Sequence, residues 1–404
     1  MKDFFDNSPT AYHAVYELTK RFAQSGFEEL KEEEIWSLEA GKSYYLVKEG
    51  ALAAFSLPEK LPKLARILAT HTDSPGLKLK PKPEQHQKNM TLFAVEPYGA
   101  PLLSSWLNRD LAIAGKITRK DQSSELVFLE EMPCIIPQLA IHLDRKVNEE
   151  GLILNKQEHL LPIMGLDPAF SLEDFLEKEI LSHDLFLVPL EKSRFLGRCN
   201  EWIASYRIDN LAGVHAAMSA MVQSRTSEET LQVALFLDHE EIGSRSPTGA
   251  ASVFTTDLLK RIAMILEIKG QELYAFKSRS FLISVDMAHA FHPSYANRYD
   301  MSAPPLLGEG VVVKYNADLK YATTAKTAAS IIAACLSLGL PHQSFISRSD
   351  VGCGSTIGPI LSAALGIEAV DIGIPQLSMH SIREIMAGQD HLDLCSLLTH
   401  LIEG

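Results

Sequence analysis

The chain has 404 residues, 46% apolar and 22% charged, a globular composition that excludes wholesale disorder and allows about two to four structural units. With 38 Lys plus Arg against 51 Asp plus Glu, the formal charge of −13 excludes a general binder of nucleic acid or anionic membrane. The 5 Cys residues are scattered without CxxC spacing, so neither a thiolate zinc site nor a disulfide framework is indicated.

Ser8 reads as the N-cap of a first helix with Pro9 at its first position; Ala11, Val15, Leu18 and Phe22 share one face, and Gly26 ends it. Two strand-like runs follow at 44–47 and 51–55, separated by Gly50. Residues 65–70 form a buried-strand pattern that runs into His71, Thr72 and Asp73. The Lys-, Pro- and Gln-rich stretch 78–89 reads as a linker or exposed loop. From about 90 to 200 the pattern is short and strand-like, with runs at 112–117, 126–129 and 140–143, which predicts an inserted β-rich domain. The predicted division is 1–78 plus 201–404 for the main domain and 79–200 for the insert.

From residue 201 a βα alternation resumes. Strand patterns cover 231–237, ending in Asp238–Glu241; 281–285, ending at Asp286; and 369–372, with His380 downstream. Helical patterns cover 211–223, 256–266 and 324–338. Such alternation predicts an α/β fold with a parallel sheet covered by helices on both faces. No apolar run reaches the roughly 18 residues of a membrane span. The first residues lack a signal-peptide pattern. The reading is a cytoplasmic protein with no nucleic-acid or membrane partner.

Open α/β sheets bind ligands beyond the carboxyl ends of their strands. Here those ends carry His71 and Asp73, Glu240 and Glu241, Asp286, and His380, while Asp209 opens a helix. Each alone is an ordinary turn or cap; their convergence on one edge predicts a catalytic zinc, manganese or cobalt site without thiolates. The Glu pair is read as extended, so that one carboxylate faces metal and the other substrate.

The runs His71-Thr72-Asp73-Ser74-Pro75-Gly76, Ile208-Asp209-Asn210-Leu211, Asp238-His239-Glu240-Glu241-Ile242-Gly243-Ser244, Asp286-Met287-Ala288-His289-Ala290-Phe291-His292-Pro293 and Met379-His380-Ser381-Ile382-Arg383-Glu384 resemble, in order and over nearly the whole chain, the aspartyl aminopeptidase family of dinuclear zinc exopeptidases, bacterial members in particular. The resemblance implies a metallopeptidase α/β sandwich, its central mixed, mostly parallel sheet interrupted by a dimerisation domain, and assembly into homododecamers. It implies two zinc ions per subunit, one on His71 and Asp286, the other on Glu241 and His380, bridged by Asp209, with manganese or cobalt as substitutes. Asp73 would orient the His71 ring, and Glu240 would be the general base. The bond Asp209-Asn210 would be a cis peptide. His142 matches a histidine that reaches a neighbour's active site to stabilise an oxyanion; an additional metal contact is the other reading. Lys314 would pair the side chain of an N-terminal Asp or Glu, with Tyr321, His289, His292, Gly354 and Ser355 in the pocket wall. The competing functions are a related dinuclear deacylase or amidase, a thiol hydrolase built on Cys353, and a non-enzymatic oligomeric shell or cargo protein on this fold.

Overall fold

The computed structural model describes residues 1–167, 170–176 and 180–404; residues 168–169 and 177–179, inside the stretch read as an insert, lie outside the described residues. A nine-stranded mixed sheet forms the larger part. Its strands run in the order Glu28–Leu30, Ser43–Lys48, Ala51–Ser56, Thr230–Leu237, Leu64–His71, Phe281–Val285, Glu368–Gly373, Val311–Lys314 and His342–Phe345. The four strands from Thr230–Leu237 to Glu368–Gly373 are mutually parallel, with Leu64–His71 among them.

Every residue of Thr230–Leu237 is buried, because both faces of the sheet are covered. Ala234 and Phe236 lie on the face whose core is shared with helices Ala11–Gln24, Ile208–Gln223, Ala325–Leu338 and Gly388–Glu403. Val233 and Leu235 point the other way, toward Phe254–Ile265, Gln271–Arg279 and Ile357–Leu365. The result is a three-layer α/β sandwich.

A second, six-stranded sheet draws on residues 76–189 and packs around its own core of Leu77, Phe93, Trp106, Ile113 and Leu185, joined by Ile382 from the far end of the chain. A five-stranded sheet combines Arg194–Leu196 and Trp202–Ser205 with Glu384–Ala387, Pro375–Leu377 and Ala288–His289.

Several local expectations are corrected. The first long helix is capped by Thr10, whose side chain accepts the His13 N–H, and not by Ser8; a short helix Lys2–Asp6 precedes it. The stretch read as a linker is most of a strand, Gly76–Gln87, paired with Met90–Tyr98; Pro81 and Pro83 fall where the ladder register shifts between Leu79 and Glu84, so no paired N–H is lost there. The run 140–143 is an exposed turn. Among the described residues, no helix is long and apolar enough to cross a membrane.

Candidate metal centre

His71 ends the strand Leu64–His71 and is 1% exposed. Its Nδ1 lies 3.0 Å from the Asp73 carbonyl and 3.4 Å from the Asp73 carboxylate. A neutral ring that gives its Nδ1–H to a carbonyl presents a bare lone pair at Nε2. That Nε2 faces Asp209 Oδ1 and Asp286 Oδ1, both at 3.4 Å. His380 repeats the arrangement. Its Nδ1 meets the Ala100 carbonyl at 3.1 Å, and its Nε2 faces Asp209 Oδ2 at 3.5 Å and Glu241 Oε2 at 3.4 Å.

Lone pairs facing carboxylate oxygens repel unless a positive charge lies between them, a proton in the metal-free protein or a metal ion in its place. Two atoms bound to one tetrahedral zinc, with bonds of roughly 2.0–2.1 Å, stand about 3.3–3.4 Å apart, close to the separations here. Asp209 Oδ1 is buried without a hydrogen-bond partner. The two oxygens of Asp209 therefore serve two adjacent groups of donors, His71 with Asp286 and His380 with Glu241. These residues fit a pair of zinc ions.

The electrostatics agree. Burial opposes charge on His380, but the Asp209 carboxylate outweighs it and raises the ring to about 9. Burial pushes Glu240 up to about 8; His71 pulls the other way, and the carboxylates of Asp286, Asp73 and Asp209 add to the rise. Glu241 is driven well above the ordinary carboxyl range by burial and then by Asp209. Carboxylates crowded out of water demand positive charge.

The adjacent glutamates do not lie on an extended segment. Glu240–Ile242 is a single 3-10 turn, entered through His239 in the left-handed region (φ 62°). The turn leaves carboxylate oxygens of both residues close to His71, all three donor atoms within 4.8 Å of one another, and Asp73 fixes it: Oδ1 accepts the Glu240 N–H at 3.0 Å and Oδ2 the Glu241 N–H at 3.1 Å. Tyr98 donates to the same Oδ2 at 2.8 Å. Glu240 lies beside His71 and outside the two groups that share Asp209. The Asp209-Asn210 peptide is cis.

Lys314 ends the strand Val311–Lys314, fully buried, with its ammonium 3.2 Å from Asp286 Oδ2 and 5.4 Å from the Tyr321 ring centroid. Cys353 Sγ donates to the Tyr321 hydroxyl at 3.4 Å, and Gly354 and Ser355 follow in exposed chain. His289 is within electrostatic reach of Lys314 and Asp209. His292 instead makes a local turn, its Nδ1 accepting the Ser294 N–H at 3.3 Å. His142 sits on the exposed turn 141–143 and belongs to neither donor group.

Three residues without an assigned role complete the surroundings. Glu384, buried, accepts the main-chain N–H of His380 at 2.7 Å as well as that of Asp209. Tyr98 secures Asp73, and the buried Arg207 guanidinium donates to the carbonyls of Ser8 and Thr72. Glu384 stands in one of the runs that carry the family resemblance, but its partners lie in loops that sequence alone does not bring together.

An α/β sandwich that gathers histidines and carboxylates around a shared aspartate has the make-up of a metal-dependent hydrolase. The chain belongs to the M18 family: the model described as Aminopeptidase I zinc metalloprotease (M18) matches residues 4–177 and 172–401. It is a metallo-aminopeptidase, a hydrolase of peptide bonds. A probable M18 family aminopeptidase 2 of Clostridium novyi is 39% identical over 410 residues, covering 96% of this chain and 94% of its own. A structure of the Ape4 and Nbr1 complex contains a chain that matches at TM-score 0.92 and 33% identity, over 99% of this chain and 84% of that one. The S. cerevisiae mApe1 dodecamer matches at TM-score 0.85 and 25% identity, over 99% and 95%.

Proposed function

We propose that this aminopeptidase removes N-terminal Asp or Glu from peptides with two zinc ions per subunit. The observation that carries the reading is Asp209, whose two carboxylate oxygens each face a different histidine, at 3.4 and 3.5 Å. His71 and Asp286 would hold one zinc, Glu241 and His380 the other, and Asp209 would bridge them. Bound zinc supplies Lewis acidity toward a carbonyl and a water. Manganese or cobalt suits the same nitrogen and oxygen donors.

Glu240 then takes a proton from the attacking water and returns it to the departing amine. Its main-chain hydrogen bond to Asp73 keeps the carboxylate beside His71. Through its carbonyl, Asp73 also fixes the His71 ring. Lys314 spends one donor on Asp286 and keeps two more for an acidic side chain entering past Tyr321. A cation at the bottom of a buried pocket offsets the desolvation of an incoming carboxylate. His289, His292, Gly354 and Ser355 would line the wall of that pocket.

The stretch 79–200 would be the dimerisation domain of a homododecamer; the yeast relative is named as a dodecamer. Its own core supports this, as do Leu139, Ile141 and Leu143, which stand 60%, 45% and 75% exposed around His142 and would be covered by a neighbouring copy. His142 would then act in the neighbour's site as an oxyanion donor. All five cysteines are free, which suits a reducing, cytoplasmic setting.

The test is a panel of chromogenic amides of Asp, Glu, Ala and Leu with zinc, manganese or cobalt added. Turnover should be metal-dependent and fastest on Asp and Glu. Preference for Leu would overturn the acidic specificity, and full activity after exhaustive chelation would overturn the metal reading.

A further inference from the structure

One group of metal-competent side chains is not used by this chemistry. His391 and Cys395 are four residues apart on the helix Gly388–Glu403, hence neighbours on one face. That helix shares a core with Ile208–Gln223, which presents His215. His215 Nδ1 lies 3.0 Å from His391 Nε2, and Cys395 Sγ lies 3.5 Å from the same nitrogen. The three ligand atoms are all within 4.8 Å of one another.

His391 is 1% exposed, and its Nδ1 is buried without a hydrogen-bond partner, so the contacts of its ring run through Nε2. An imidazole nitrogen carries one proton or one lone pair, never both. It therefore forms one good hydrogen bond and leaves either His215 or Cys395 short of a partner; Ser219 Oγ, 3.4 Å from His215 Nδ1, is a long contact. A cation between the three satisfies them together. Tetrahedral zinc places two bound nitrogens about 3.3 Å apart and a nitrogen and a sulfur about 3.6 Å apart. The observed 3.0 and 3.5 Å need only small adjustment. Thiolate with imidazole is also the donor set that zinc prefers over magnesium or calcium.

We propose that His215, His391 and Cys395 form an additional site for a thiophilic divalent cation such as zinc, separate from the centre around Asp209. His215 and Cys395 are partly exposed, which gives the ion a way in. The site would clamp the helix that follows directly on Asp209 to the C-terminal helix.

Cobalt titration tests this directly. The Asp209 centre offers no sulfur, so a near-ultraviolet thiolate-to-cobalt charge-transfer band reports on this site alone. The band should appear in wild-type protein, persist in Cys353→Ser and vanish in Cys395→Ser. After gel filtration, Cys395→Ser should also carry one zinc equivalent fewer per chain while keeping aminopeptidase activity. No band at excess cobalt, or an equal band in Cys395→Ser, overturns the proposal. Should the variant fail to fold, alkylation of wild-type Cys395 decides: zinc should protect the thiol, and equal labelling with and without zinc overturns the site.

Discussion

Glu384 Oε2 accepts the main-chain N–H of Asp209 at 3.0 Å, tying the shared carboxylate of the site to a residue 175 positions further along the chain. The other oxygen of Glu384 accepts the His380 N–H, so one buried side chain positions both the shared aspartate and the histidine of one half. Glu384→Ala should weaken zinc binding by on the order of 10–100-fold, the usual effect of losing a group that orients ligands. Glu384→Gln should fall between, because its amide keeps one acceptor for two donors. A competition titration with a zinc chelator reads both, and wild-type affinity in the alanine variant would contradict the role.

Glu240→Gln should reduce kcat by roughly 100 to 10,000-fold, the range for loss of a general base, with zinc content unchanged. Glu241→Gln should lose zinc as well as rate, because Glu241 faces His380 Nε2 at 3.4 Å. Paired assays of turnover and metal content separate the two; near-normal turnover of the Glu240 variant would rule it out as the base.

Lys314→Ala should lose about 2–5 kcal/mol of transition-state stabilisation on N-terminal Asp and Glu substrates and little on Ala or Leu. The contact with Asp286 supplies a control. If Lys314 serves chiefly to position Asp286, all substrates should suffer alike and zinc should be lost together with rate.

In the metal-free protein, Glu240 and Glu384 are raised to about 8 from an ordinary 4.5, and His380 to about 9 from 6.5. Each folded group thus holds a proton that its unfolded counterpart has released, so the stability these groups contribute falls as pH rises across roughly 4.5 to 9. Asp209 is held low and acts oppositely in acid below about its ordinary 3.8, and the buried His13, His215 and His391, held well below 6.5, act oppositely up to about 6.5, so the net decline belongs to the span from about 6.5 to 9. Chelator-treated protein should lose Tm steadily over that span, and added zinc should raise Tm more at alkaline than at acid pH, since ligands must be deprotonated to bind. A zinc-dependent rise in Tm that shrinks with increasing pH would be the contrary result.

Mixing His142→Phe chains with Glu240→Gln chains should restore part of the activity if His142 serves a neighbour. Some interfaces would then join an intact base to an intact imidazole. Mixed oligomers without recovery would place His142 in its own subunit's chemistry.

The strand ends were legible because runs such as 65–70 and 231–237 are mostly apolar, interrupted only by Arg66, Thr70 and Gln232, and stop abruptly at His71 and Asp238, the pattern of a strand covered on both faces. The strand Gly76–Gln87 was not, since its two prolines mimic a linker and only the partner strand shows that they fall at a register shift. The turn at Glu240–Ile242 depends on the carboxylate of Asp73, 167 positions away. Cys395 has no cysteine partner at CxxC spacing, so nothing in its neighbourhood pointed to His215, which meets His391 across 176 positions of chain.

The two histidines of the metal centre rest on foundations of unequal firmness. His71 leaves an inner strand of the sheet, and its brace comes from two residues along the same segment. His380 belongs to a loop, sits at φ 66°, and leans on Ala100, while its carbonyl accepts the Leu102 N–H; both partners belong to the segment between strands Met90–Tyr98 and Leu111–Arg119 of the other sheet. If two ions are bound as proposed, their loss should therefore be ordered, the His380 half emptying first and the His71 half holding. Whatever grips or tugs the stretch 99–105, a seated neighbour included, would act as a throttle on one ion and leave the other untouched.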